Sequence, residues 1–274
     1  MFSWVEDGDL LYLKIDNFTR HSVGAYFTTR LGGVSSGVFD SLNMALHVAD
    51  RKEKVLINRE KIARSIGIDP GSFVAAEQVH GAEVSIVTEE DRGAGALDYQ
   101  ASIPGVDALI TASEGLPLIS FYADCVPLFF LDPVKRVVAL AHAGWRGTVN
   151  KIASQTILQM EKGFASEPAD IMVALGPSIS RDFYEVDKRV IDEFKGVFPG
   201  YKEFTVYRGK ESYLLDLWQA NIMVLEEAGI SRENIFPSNL CTYAEARCFY
   251  SYRREKGKTG RMASIIYLSE SYRL

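Results

Sequence analysis

Apolar residues fall in short runs along this chain, separated by Gly, Pro, Asp and Ser. LLYLKI (10–15) and VGAYFTT (23–29) are β-branched and aromatic with turn residues between them, which predicts strands. A Gly/Ser-rich loop, RLGGVSSGVFDSLN (30–43), follows; it is either a plain linker or the wall of a polar site. VLINREKIARSIG (55–67) has helical periodicity and stops at Gly67 before an Asp-Pro turn. SFVAAEQVH (72–80) and EVSIVT (83–88) read as a strand pair split at His80–Gly81. Then come DALITA (107–112), LPLISFYA (116–123), CVPLFFLD (125–132) and RVVALAHA (136–143), nearly continuously apolar and so predicted to be buried on both faces. An amphipathic helix over 148–164, with Thr148 as N-cap, precedes a buried strand IMVALG (171–176). Helices near 187–196 and 216–229 and a closing strand SIIYL (264–268) complete the series. Helices and strands are interspersed without strict alternation and no linker divides them. This predicts an α+β fold, with mixed sheets flanked by helices in one domain spanning 1–274.

Composition adds boundaries. With 274 residues, 47% hydrophobic and 24% charged, the chain has ample material for a core. A net charge of −6 and the lack of a basic stripe argue against nucleic-acid or membrane-surface binding. The acidic, interrupted start MFSWVEDGDLLYLKIDNF is no signal peptide, and no apolar stretch approaches the length of a bilayer span. Three cysteines match no disulfide framework, so a reducing, cytoplasmic setting is expected.

The chemistry gathers at strand ends. Cys125 and His142 sit on consecutive apolar runs, readable as two metal ligands, as a nucleophile with its base, or, for the thiol, as inert core. His80 in EQVHG supplies a third borderline-soft donor, and three ligands with an open fourth position describe a catalytic zinc site. Imidazole and thiolate suit zinc or copper better than magnesium or calcium. Four histidines in all are too few for a multicopper centre. His21 lies in a polar turn, whereas His47 is a candidate pocket residue; Cys241 and Cys248 read as structural. The turn Gly144-Trp145-Arg146-Gly147-Thr148 joins a strand to a helix start. It is either an anion site, with Arg146 as clamp and the Gly147 and Thr148 amides as cradle, or simply a tight turn. CFYSYRR (248–254) offers Tyr252 and Arg253 for stacking and charge neutralisation, or else a solvated strand edge. Arg30 and Asn43 flank the Gly/Ser loop as further candidates for phosphate or substrate.

Taken in order, TTRLGGVSSGVFDSLNMALHVAD, QVHG, DALIT, ADCVPLFF, AHAGWRGT, LGPSI with YEV, and CTYAEARCFYSYRR followed by TGRMASI resemble the YfiH-like family. Its members have been described as laccase-domain or polyphenol oxidase proteins and as purine nucleoside phosphorylases. The resemblance implies an α/β/β/α sandwich akin to the cytotoxic necrotizing factor deamidase fold, and one zinc on His80, Cys125 and His142. It also implies phosphorolysis of adenosine, inosine and methylthioadenosine, adenosine deamination, and for some members peptidoglycan editing beside cell-wall synthesis enzymes. Copper-dependent phenol oxidation is a further family activity. The H-x-E signature of zinc deaminases is absent, which leaves Asp124 or Glu77 as the candidate proton carrier. The competing chemistry is a cysteine amidase or hydrolase that uses Cys125 and His142 on cell-wall precursors.

Overall fold

The structure, a computed structural model, describes residues 2–269. Its strands are β1 (Phe2–Asp7), β2 (Leu10–Ile15), β3 (Val23–Thr28), β4 (Val74–Ala75), β5 (Val84–Ile86), β6 (Ala108–Thr111), β7 (Leu118–Tyr122) and β8 (Val126–Asp132). They continue as β9 (Val137–Ala143), β10 (Met172–Leu175), β11 (Glu185–Asp187), β12 (Thr205–Gly209), β13 (Ser212–Leu215), β14 (Ile235–Pro237) and β15 (Met262–Leu268). The α-helices are α1 (Asp16–Thr19), α2 (Lys52–Ser65), α3 (Trp145–Val149), α4 (Ile152–Phe164), α5 (Lys188–Val197) and α6 (Leu217–Glu227).

Two six-stranded sheets carry the fold, ordered β1-β2-β3-β15-β7-β4 and β14-β10-β8-β9-β6-β5. Both are mixed: β4 runs parallel to β7 in the first, while β5 and β14 run parallel to β6 and β10 in the second. Side chains alternate across a strand, so the apolar runs of β8 and β9 serve two cores at once. Val126, Leu128 and Phe130 face α4, α5 and α6, whereas Phe129, Leu131, Val138 and Leu140 pack against the first sheet. A third cluster seats Ile62 and Ala63 of α2 on the outer face of that sheet, against Ile119, Phe121 and Ile265. The layers therefore run helix, sheet, sheet, helix, and the expected mixed α/β architecture is present.

Some expectations need correction. SFVAAEQVH and EVSIVT do not form a pair: β4 belongs to the first sheet and β5 to the second, so the QVHG segment crosses between them. Two short runs of similar alternation carry no mark of which sheet they join. Thr148 is not an N-cap. It lies inside α3, whose N-cap is Gly144, and its hydroxyl bonds back to the Gly144 carbonyl at 2.9 Å. Lys151, in the left-handed region at φ 54°, then separates α3 from α4. The small sheet β11-β13-β12 and the hairpin strand β1 lie outside the elements read from the sequence.

Candidate metal centre and its pocket

His142 is the penultimate residue of β9, and alternation turns its ring inward with Val138 and Leu140, toward the first sheet. Register pairs His142 with Pro127 and Ala143 with Val126, which brings Cys125 opposite Gly144. His80 arrives on the segment that crosses from one sheet to the other. The three side chains offer donor atoms that all lie within 4.8 Å of one another. Glycine at 144 leaves the ligands room: a Cβ on it would sit 3.0 Å from Cys125 Sγ and 3.3 Å from His80 Cδ2, and both would have to shift.

One buried carboxylate aligns two of these ligands. Asp107 Oδ2 accepts from the N–H groups of Val79 (3.1 Å) and Gly81 (2.7 Å), and Oδ1 accepts from His80 N–H at 3.0 Å. His142 Nδ1 lies 2.8 Å from the same Oδ1 and donates to it, which leaves Nε2 free for the site. Gln78 adds a second clamp, its amide exchanging two hydrogen bonds with the backbone of Phe121 (2.9 and 2.8 Å). These contacts hold Gln78 and His80 at φ 60° and 61°, a conformation that non-glycine residues adopt rarely.

Electrostatics follow from the crowding. Burial pushes the Cys125 thiol up, but the His142 imidazole and hydrogen bonds from His142 and His80 outweigh it and bring the thiol well below its usual range. Burial opposes charge on His142, yet Cys125 and the Asp107 hydrogen bond raise it. The pair thus favours thiolate and imidazolium. A thiolate with two imidazoles, one of them backed by a carboxylate, fits the donor set of a metal ion, and His80, Cys125 and His142 are the residues able to hold it.

The triad opens into a cavity of about 480 Å³. His47, Tyr99 and Phe121 form one wall, with ring centroids 5.5 and 5.8 Å from His47 to Tyr99 and Phe121. Burial first, then the charge of Arg261, drives His47 down to about 4, so it is neutral at physiological pH. Opposite stand Arg146, Arg253 and Arg261 among Trp145, Tyr184 and Tyr252. Arg146 lies 4.4 Å from the Trp145 ring and Arg253 lies 4.9 Å from that of Tyr184.

Of the residues expected from the sequence, the pocket gathers His47, His80, Asp124, Cys125, His142, Arg146, Tyr252 and Arg253, and Glu77 lines it too. It leaves out four. Arg30 pairs with Glu255 at 2.9 Å and donates to the Asp40 carbonyl. Asn43 is buried and ties Ala45, Asp50 and Arg261 N–H together. Thr148 spends its N–H on Gly144 and its hydroxyl on Gly144 and Asn221, and Gly147 is packed against the carbonyls of Gly81 and His142. The Thr148 amide is therefore spent inside the fold, and neither Gly147 nor Thr148 lines the pocket. Asp124 lines the pocket, but both its oxygens are engaged, by the Thr242 and Ser251 hydroxyls and Arg253 N–H. That makes it an anchor of the arginine-bearing loop rather than a free proton carrier.

Asp107, Phe121, Tyr184 and Arg261 were not read from the sequence as site residues. DALIT and TGRMASI stood among the motifs, and an acid beginning a buried strand and an arginine preceding one were the available signals.

Known proteins resemble this chain over nearly its whole length. A Bacillus subtilis protein named purine nucleoside phosphorylase YlmD is 43% identical over 93% of this chain and 92% of its own. Its namesake from Geobacillus stearothermophilus is 41% identical over 90% and 91%. Among solved structures, YfiH from Bacillus licheniformis superposes with a TM-score of 0.93 at 38% identity, covering 97% of this chain and 99% of that one. The YlmD structure from Geobacillus stearothermophilus gives 0.94 at 38%, covering 98% and 100%. Residues 24–269 match the family model described as multi-copper polyphenol oxidoreductase laccase, and the chain belongs to that laccase-like, YfiH-type family.

Proposed function

We propose that this protein, acting as one domain, is a zinc-dependent purine nucleoside phosphorylase with adenosine deamination as a second activity. Its substrates would be adenosine, inosine or methylthioadenosine, split with phosphate into free base and the corresponding ribose 1-phosphate. One observation carries the reading: a His-Cys-His donor set, three guanidinium groups and a set of aromatic rings line the same cavity. The names of the Bacillus and Geobacillus relatives support it. Phosphorolysis needs an anion held against the anomeric carbon, opposite a departing planar base. The arginine wall suits the anion, with Arg146 and Arg253 as contacts, and the aromatic rings suit the base and ribose. His47, being neutral, can hydrogen-bond the base without repelling the guanidinium groups. Glu77, whose Oε2 accepts from Gly105 N–H at 2.8 Å, is the carboxylate we assign to proton transfer in deamination. A bound zinc or copper ion would supply a Lewis acid for a substrate or water oxygen. Zinc is our assignment, because one three-residue donor group is the only such group found among the described residues, short of a multicopper cluster.

The test is metal analysis of freshly purified protein, coupled to a nucleoside panel with and without phosphate. Near-stoichiometric zinc and phosphate-dependent release of hypoxanthine from inosine are expected. Cys125→Ser should empty the site and cost more than the roughly 10–100-fold that loss of an outer-shell partner costs. Base release that ignores phosphate would sink the phosphorylase reading. The thiolate–imidazolium pair favours one other chemistry, a cysteine amidase or hydrolase on cell-wall precursors. Metal-free protein that remains active and is inactivated stoichiometrically by iodoacetamide would select it.

A further inference from the structure

The three pocket guanidinium groups are not equivalent. Arg146 and Arg253 are exposed, and Arg253 Nη1 is committed to the Glu185 carbonyl at 2.6 Å. Arg261 is half-buried, and it forms no ion pair among the described residues. Its Nη1 donates to the carbonyls of Thr259 (2.8 Å) and Gly260 (3.0 Å), while its Nε and Nη2 have no hydrogen-bond partner among the described residues. Withdrawing a guanidinium from water without a counter-ion is costly, so such a group marks a place where an anion binds.

Its placement is fixed by the backbone. β15 pairs with β7 so that Met262 lies opposite Tyr122, which sets Arg261 level with Ala123 and the Asp124–Cys125 step beyond it. Arg261 N–H donates to Asn43 Oδ1 at 2.9 Å, and Asn43 is itself held by Asp50 at 2.9 Å. The guanidinium sits 5.6 Å from the Tyr252 ring. Arg146 and Arg253, by contrast, start from a short helix and a loop. Electrostatics agree with a position near the triad: burial lowers the Arg261 pKa most, and Cys125 is the strongest of the groups that raise it again.

We propose that Arg261 is the principal anion-binding residue of this pocket, presenting its free Nε–Nη2 edge as a bidentate fork to two oxygens of phosphate. The preorganised strand end sets where the anion sits relative to His80, Cys125 and His142, and Arg146 and Arg253 close over it from the rim. That an oxyanion binds here follows from the guanidinium; that the anion is phosphate rests on the phosphorylase reading above.

Two measurements on the full-length, metal-loaded protein separate these claims. In the first, inorganic phosphate is titrated calorimetrically into wild type, Arg261→Met, Arg261→Lys and Arg146→Ala. Loss of a charge-assisted fork should weaken phosphate binding about 10–150-fold in Arg261→Met. Lysine, which keeps the charge without the fork, should recover part of that, and Arg146→Ala should stay within about 5-fold of wild type because a rim contact is solvent-screened. Equal phosphate affinity in wild type and Arg261→Met, or no binding to wild type at millimolar phosphate, overturns the proposal. Retained metal and a cooperative unfolding transition certify the methionine variant; if it does not fold, the lysine variant must still bind phosphate more weakly than wild type, or the proposal fails. The second measurement is steady-state cleavage of inosine, where Arg261→Met should raise KM for phosphate and leave KM for the nucleoside within about 3-fold. Phosphate binding that depends on Arg261, without nucleoside cleavage, would leave the anion site standing and remove the phosphorylase. Phosphate-dependent cleavage unchanged by Arg261→Met would do the reverse.

Discussion

Two aspartates, each nearly withdrawn from solvent, fasten opposite walls of the pocket. Asp107 (1% exposed) holds the metal wall, accepting from three backbone N–H groups and from His142. Asp124 (7% exposed) holds the arginine wall, accepting from two hydroxyls and from Arg253 N–H. The device is the same, but the donors differ. Amide N–H groups cannot reverse their polarity, whereas hydroxyl groups can turn and accept. The charge states differ as well. Burial alone would push Asp107 up, but His142 and the N–H groups of Gly81 and His80 outweigh it and hold the carboxyl below its usual range. At Asp124 burial prevails over Arg253 N–H, Thr242 and Ser251, and the carboxyl is raised. The metal wall is fastened, by donors that cannot turn round, to a carboxylate that favours its charged form, whereas the hydroxyl donors of the arginine wall can readjust.

Asp107→Asn should break this comparison most visibly. All four donors around Asp107 are N–H groups, so an amide NH₂ must face at least one of them whichever way it turns. A buried donor left unmatched, together with the lost charge, should cost ~2–4 kcal/mol of stability. Metal affinity should fall about 10–100-fold, because His142 loses the partner that orients its ring. Thermal unfolding and competitive metal titration measure both. A variant that kept metal affinity and stability would show that the carboxylate does not position the ligands.

Asp124→Asn should be milder. The amide oxygen can keep Ser251 and Arg253, while Nδ2 faces Thr242, whose hydroxyl can accept. A stability loss of about 1 kcal/mol or less is expected, with bound metal unchanged and KM for phosphate raised as the Arg253 loop loosens. If Asp124→Asn instead stripped the metal, the two walls would not be separable, and the contrast drawn from their donors would be wrong.

Much of the metal wall was legible in the sequence because two of its ligands, Cys125 and His142, stand at the ends of long apolar runs. Continuous burial over 125–132 and 136–143 predicted β8 and β9, and the ends of such strands are where polar side chains can converge. The clamps were less legible. Asp107 works by accepting from residues 79–81, and nothing in the order of residues says that this loop folds over it, least of all when QVHG is read as a hairpin turn. Arg261 shows the same limit: its significance lies in the lack of a counter-ion, a property of the packed molecule. Thr148 was misread for the opposite reason. Its residue type suits a cap or a phosphate contact, but the chain already turns into the helix at Gly144, and the hydroxyl is spent on that carbonyl.

The smallest effect asks which wall dominates the field inside the pocket. After burial, Arg261 contributes most to lowering His47, ahead of His142, Arg59 and His80. Among the charges near it, His47 therefore senses Arg261 most strongly. Its folded pKa, about 4, lies below the unfolded value of 6.5, so the folded state binds that proton less well. The stability this group contributes is fully present above pH 6.5 and is lost as pH falls from 6.5 through 4. His47→Gln should flatten the wild-type loss across that window and change little at pH 7.5. In a proton NMR titration, Arg261→Met should move the His47 midpoint upward yet keep it below 6.5, since burial persists. A midpoint that ignored Arg261 and shifted instead with Asp107→Asn would hand control of the pocket field to the metal wall.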